Sequence, residues 1–193
     1  MTNYLIYDTE TSDFLTKGNE KLPPDKQPWI VQMGMILTNG ERDFIKMSLL
    51  IQSDGRMISD GAKAVHKIST DDCNKGLPEK DALHILCSNF KHSDYLVCHN
   101  VGFDIPMTLL ALRRNGYNLD ADVLEKLPKI CTMQASTKFC ALPAKWGFKW
   151  PKLEELHEKL FGFKPLSGDL HDALSDCFYT KKCFFEMKDR EII

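Results

Sequence analysis

The stretch YLIYDTET, residues 4–11, sets the tightest limit on how this chain can fold. Tyr4, Leu5, Ile6 and Tyr7 form the apolar run of a short buried strand, and the run ends in Asp8 and Glu10. Residues two apart on an extended strand share a face, so both carboxylates stand on the same side of the strand end. Two anions so placed repel each other, and a cation between them removes that repulsion. Carboxylate oxygens with neighbours such as Thr9 and Thr11 suit a hard ion, magnesium or manganese. An isolated D-x-E serves equally well as a solvated turn after an edge strand. The downstream sequence therefore decides what the pair is for.

The 193 residues, 43% hydrophobic and 27% charged, are enough for a single domain over 1–193 with a full core. A net charge of -2 gives no overall attraction to a polyanion, so any nucleic-acid binding has to be local. Cysteines at 73, 87, 98, 131, 140, 177 and 183 include no C-x-x-C pair and leave one over. Reduced, buried thiols are expected, in place of a disulfide framework or a zinc site. No basic segment leads into an apolar run near Tyr4, and no apolar run approaches membrane-span length. The expectation is a cytoplasmic protein with no membrane association.

After a polar, Pro-containing loop at 13–28, WIVQMGMIL (29–37) and FIKMSLLI (44–51) read as strands joined by a turn at Asn39-Gly40. These two and the first strand are expected to pair in one sheet. AVHKIST (64–70) leads into a short helix marked by Ser69 with Asp72 three residues on. Ala82, Leu83, Ile85, Leu86 and Phe90 recur at helical spacing, Tyr95 to Cys98 is a short strand, and 117–126 reads as a polar region. Lys129 to Cys131 is extended, Leu153 to Phe161 is a helix stopped by Gly162, and a last helix is expected from about Leu170 to Met187. Its buried side is marked by Leu170, Ala173, Leu174, Cys177, Phe178, Phe184 and Phe185.

Further acidic and imidazole groups lie at element boundaries. Asp104 follows Phe103 in the first turn of a helix, where the helix dipole alone would favour an acid. His99 and Asn100, just before it, are suited to holding a turn. In HDALSD (171–176), His171 and Asp176 would point about 140° apart on a regular helix, so their roles should differ. Asp172 and Asp176 are four apart and share a face, which makes Asp172 a rival ligand on geometry alone. Between Lys138 and Lys152, Lys145 and Lys149 interleave with Phe139, Trp146, Phe148 and Trp150. A basic track beside aromatic rings is how single strands are held without sequence preference. Period-two aromatics also fit a half-buried strand or hairpin, and both readings stand at this point.

YDTET, HNVGFD and HDALSD, in this order and spacing, resemble the three motifs of the DnaQ-like 3'-5' exonucleases of the DEDDh type. Polymerase proofreading subunits, RNase T and oligoribonuclease belong to that group. IVQMGMI resembles the family's second strand, AVHKIST its V-H-G-I-T segment, and KLEELHEKLFG its helix before the last motif, so nearly the whole chain is covered. The fold implied is α/β and RNase H-like: a mixed central sheet, three antiparallel N-terminal strands followed by parallel ones, flanked by helices. By the resemblance, Asp8, Glu10, Asp104 and Asp176 are the metal-binding acids, with Asp176 and not Asp172 the ligand, and His171 is the general base. Thr9, Thr11, His66, Asn100 and Phe103 are the residues expected near the terminal nucleotide. Two departures fall beside that pocket: Thr11-Ser12-Asp13 where the family often has T-T-G, and Lys67 for the usual Gly.

The implied chemistry is hydrolysis from a 3' end, one nucleoside 5'-monophosphate at a time, with two divalent cations, Mg2+ or Mn2+. An imidazole titrating near pH 6.5 suits the proton acceptor. The expected partner is single-stranded nucleic acid or a 3' end, DNA or RNA. The alternative is a non-catalytic or polymerase-associated accessory module on the same fold. Against it stand the intact set of five groups and the few residues between the last helix and Ile193 with which to clasp a polymerase. A deaminase-like hydrolase would need a zinc-type His/Cys cluster that the sequence lacks.

Overall fold

Tyr4–Thr11 forms one continuous strand, β1, so Asp8 and Glu10 lie within it and not beyond its end. The computed structural model describes residues 1–166 and 170–193. β1 pairs antiparallel with β2 (Ile30–Thr38), which pairs antiparallel with β3 (Asp43–Leu50). On its other edge β1 pairs parallel with β4 (Tyr95–Cys98), and β4 pairs parallel with β5 (Lys129–Cys131). The order β3-β2-β1-β4-β5 is the mixed sheet expected, with the acid-bearing strand at its centre. Gly40, at φ 95°, makes the turn between β2 and β3.

The helices, in chain order, are α1 (Asp60–His66), α2 (Thr70–Cys73), α3 (Glu79–Phe90), α4 (Val101–Arg114), α5 (Asn118–Lys126), α6 (Thr132–Ala135), α7 (Thr137–Cys140), α8 (Leu153–Phe161) and α9 (Ala173–Asp189). The capping box read from Ser69 and Asp72 is present at α2, and Gly162 ends α8 at φ 82°. The sequence reading missed α1 and, among others, α5, which buries only Ala121 and Leu124 and so carries too little apolar periodicity. The last helix starts at Ala173, later than expected, because the Asp172 side chain accepts the Ser175 amide and caps it. Phe178, expected on its buried side, is 42% exposed and lies beside the Lys182 ammonium. No described helix is long and apolar enough to cross a membrane.

The alternation of β1 divides two cores. Leu5 and Tyr7 face the cluster filled by Met33, Met35, Leu83, Leu86, Met107 and Leu112, from the sheet, α3 and α4. Tyr4 and Ile6 face the cluster of Ile36, Val97, Cys177 and Phe184, under α9. Asp8 and Glu10 continue the α9 side by the period of two. Gly34 is paired opposite Asp8. A Cβ at Gly34 would stand 2.1 Å from the Ala173 carbonyl oxygen, so the absence of a side chain is what lets the start of α9 reach the sheet at the acids. All seven cysteines are free and six are buried, as expected of thiols used as small apolar groups.

Candidate active site

Each acid reaches the site by a different local device. Asp8 and Glu10 are carried by the central strand, whose pairing with β2 shifts register between Glu10 and Thr11. Asp104 sits in the first turn of α4 and is 2% exposed. Its Oδ1 accepts the Thr9 amide at 3.0 Å and the Thr9 hydroxyl at 2.8 Å. Thr9 is therefore turned to Asp104, and its hydroxyl locks the second acidic motif onto the first. Behind it, Thr108 Oγ1 donates to the Asp104 carbonyl at 2.8 Å and lies 2.9 Å from the Tyr7 hydroxyl.

Asp176 comes from the first turn of α9. Its Oδ2 accepts the His171 amide at 3.2 Å, while Oδ1 is buried without a hydrogen-bond partner among the described residues. His171 precedes the helix at φ 70° and is exposed. The 140° separation expected from a regular helix does not apply, because His171 is not on it. Its ring instead comes into the same group as Glu10 and Asp176, with one potential ligand atom from each lying within 4.8 Å of the others. Asp172, the geometric rival, is held elsewhere: Oδ1 accepts the Ser175 amide at 3.1 Å and Oδ2 accepts Gln32 Nε2 at 2.8 Å. Gln32 Oε1 in turn accepts the Ala173 amide at 3.0 Å, so one glutamine pins the helix start beside Glu10. The only sequence signal for Gln32 was a lone polar residue in an apolar strand.

The acids are electrostatically unsatisfied. Burial, then the charges of Asp104, Asp176 and Glu10, raise the Asp8 carboxyl well above its ordinary range. Burial with Asp176 and Asp104 raises Glu10 to about 8. Asp104 and Asp176 are also raised by burial, against the pull of the Thr9 and His171 donors respectively. A cluster that resists its own ionisation, with a buried carboxylate oxygen lacking a donor, fits a site for hard divalent cations.

Beside the acids lies a cavity of about 400 Å³ lined by Glu10, Thr11, Phe14, His66, Asn100 and Phe103, among others. Four of the five residues expected near a nucleotide thus line one cavity, and Thr9 lines the adjoining cleft with Asp8, Asp104 and Asp176. Phe14 was not anticipated; its ring meets that of Phe103 edge to face at 6.1 Å. His66, on the last turn of α1, accepts the Ile68 amide on Nδ1 at 3.0 Å. Burial lowers its pKa, against a backbone hydrogen bond to Thr11 and with a smaller contribution from nearby His171. Asn100, at φ 86°, turns the chain from β4 into α4.

A five-stranded mixed sheet with helices on both faces and acids at its centre is the RNase H-like exonuclease architecture. The chain belongs to the exonuclease family whose model, RNase T exonuclease, matches residues 5–184. Among solved structures it is similar to the zinc-bound complex of E. coli exonuclease I with single-stranded DNA, at TM-score 0.74 and 17% identity over 99% of this chain and 41% of that one. It is also similar to a 3'-exonuclease that recognises the histone mRNA stem-loop (TM-score 0.66, 16% identity, 97% of this chain and 82% of that one). Exonuclease X bound to 5'-overhanging duplex DNA matches at TM-score 0.60 and 24% identity over 99% and 93%. The chain spans about two-fifths of the exonuclease I structures it matches. A search of curated protein sequences gives no match.

Proposed function

We propose that the chain acts as a single-domain, divalent-metal-dependent 3'-5' exonuclease on DNA or RNA. The meeting of four carboxylates from three elements in one cleft, each raised in proton affinity by burial and by its neighbours, carries this reading. Asp8, Glu10, Asp104 and Asp176 would hold two divalent cations, Mg2+ or Mn2+, which when bound neutralise the cluster and supply Lewis-acid activation of water and phosphate. The residues of the chain do the rest. The cavity between Phe14, Phe103 and His66 takes the terminal nucleoside, a largely apolar slot with an imidazole on its wall. His171, exposed at the mouth of the cluster, accepts the proton of the attacking water. Water attacks phosphorus, the 3'-oxygen of the preceding nucleotide leaves, and a nucleoside 5'-monophosphate is released.

The grouping of the His171 ring with Glu10 and Asp176 supports a second role for His171, as a cation ligand. The two roles predict different variants, compared in the Discussion. For the overall reading, 5'-labelled single strands, overhangs and blunt duplexes of DNA and RNA are incubated with Mg2+ or with EDTA. A descending ladder that disappears in EDTA is expected. Internal cuts without a ladder, or equal activity in excess EDTA, would overturn it.

A further inference from the structure

We propose that the hairpin carrying Trp146, Phe148 and Trp150 is a stacking platform for the unpaired strand on the 5' side of the scissile phosphate. This rests on the exonuclease reading and extends it beyond the terminal nucleotide. The half-buried alternative drawn from the period-two pattern does not hold: Trp146 is 86% exposed, Phe148 51% and Trp150 61%. Every residue from 143 to 150 is exposed. Leaving such rings in water forgoes about 1.5–3 kcal/mol each, and apolar patches rimmed by charge mark binding surfaces.

The segment is held in shape while its rings stay free. Pro143 and Phe148 form an antiparallel bridge, the Ala144 amide donates to the Gly147 carbonyl at 3.1 Å, and the Lys149 amide donates to the Leu142 carbonyl at 3.0 Å. Gly147, at φ 71°, allows the tight tip. Beyond Trp150 the chain is tied down from both sides. The Lys152 amide donates to the Glu155 carboxylate at 2.8 Å, and the buried Pro151 carbonyl lies 3.0 Å from His99 Nε2. A carbonyl only accepts, so Nε2 carries the proton and Nδ1 accepts the Thr132 hydroxyl at 2.9 Å. His99 is thus a positioning residue, joining the platform to the strand end that leads into Asp104.

Two features identify the occupant. First, Trp150, Pro151 and Lys152 line the same cleft as Asp8, Asp104 and Asp176. That cleft shares Glu10, Asn100 and Phe103 with the cavity proposed for the terminal nucleoside, but only the cleft reaches Trp150, so the cleft that holds the acids adjoins both the cavity and the platform. Second, Lys138, Lys145, Lys149 and Lys152 are exposed on this segment of a chain whose net charge is -2. Lys149 is shared with Glu155, which leaves the other three to follow a phosphate backbone. Rings that stack on any base beside such cations suit a single strand of any sequence.

The test uses the whole chain and intrinsic tryptophan fluorescence in EDTA, so that the strand stays intact. Trp29 is buried at 1% exposure, so a change on titration reports the two exposed tryptophans. Oligothymidylate of twelve residues should quench emission and bind at least tenfold more tightly than the dinucleotide. Phe148→Ala, which keeps both reporters, should weaken the twelve-mer about tenfold and remove the length dependence of KM in the ladder assay. Trp146→Ala provides an independent variant at the most exposed ring. No quenching by the twelve-mer, or unchanged length dependence in both variants while a ladder still forms, would overturn the platform and leave the exonuclease reading intact. Quenching that persists where no ladder forms on any substrate would instead remove the exonuclease reading alone.

Discussion

Two buried charged clusters in this protein are built on opposite rules. In one, Glu79 is 6% exposed and accepts from Arg56 at 3.2 Å, from Arg114, and from Asn115 at 2.8 Å. The Arg56 guanidinium also lies 4.6 Å from the centre of the Trp29 ring. Burial pushes the Glu79 carboxyl up, but Arg114 and Arg56 overcome it and hold it below its ordinary range. In the other, Asp8, Glu10, Asp104 and Asp176 crowd together and all are pushed up. The first cluster fastens the loop after β3 to α3 and α4; the second leaves its carboxyls without a compensating cationic side chain, as the proposed cation site requires. The contrast separates charge compensated within the fold from charge left uncompensated, the kind that the proposed function assigns to chemistry.

Breaking each cluster should therefore have opposite consequences. Asp8→Asn removes one repelling anion from the site. Turnover in the ladder assay should fall about a thousandfold or more, while the melting temperature in EDTA at pH 8 rises. His171→Ala should lower turnover about 10²–10⁴-fold and leave metal affinity, read by titration calorimetry, largely intact. Loss of affinity as large as that of Asp8→Asn would move His171 from proton acceptor to ligand. Glu79→Gln leaves Arg114 without its anion and Arg56 with only exposed Asp54 at 3.8 Å, and should cost about 3–5 kcal/mol in urea unfolding. Its turnover per folded molecule should be nearly unchanged. A loss of turnover without a loss of stability would erase the distinction drawn between the clusters.

The paired cluster was invisible in the sequence, and the unpaired one was not. Asp8 and Glu10 could be read because a strand imposes a period of two, whereas Asp104 and Asp176 were assigned by the resemblance of HNVGFD and HDALSD to the family's motifs, since local geometry alone left a helix-start acid at 104 and Asp172 as a rival to Asp176. Arg56, Glu79 and Arg114 are far apart in sequence, and no local pattern predicts that a loop and two helices will bring them together. Gly34 and Gln32 show the same limit at the site itself. Their importance lies in where α9 crosses β2, a tertiary fact that strand periodicity does not contain. The start of α9 was misplaced because an apolar Leu170 fits the helical period, whereas the cap at Asp172 ends that period from outside. Trp146, Phe148 and Trp150 show the converse: their alternation described the hairpin well, but alternation alone cannot say which face is covered.

The sharpest way to separate the two clusters is by pH. A carboxyl whose folded pKa is raised binds more protons folded than unfolded, so its stabilising effect is complete below the ordinary pKa and is lost as pH rises through the raised one. For Glu10 that window runs from 4.5 to about 8. Glu79, held below its ordinary 4.5, contributes in full above that value and loses its effect only as pH falls below it. Half-buried His99, lowered by desolvation from 6.5 to about 4, adds stability as pH rises between those values and would mask the acids there. Melts between pH 6.5 and 8 therefore isolate the unpaired cluster. In EDTA the melting temperature should fall across this range. Saturating Mg2+ should restore it, by about 5–10 °C at pH 8 if the cation is at a hundred times its dissociation constant, and by less at pH 6.5. Asp8→Asn should flatten the EDTA profile, whereas Glu79→Gln should lower it without changing its slope. A flat EDTA profile in the unaltered chain would mean that the acids do not repel one another, and the case for a cation between them would go with it.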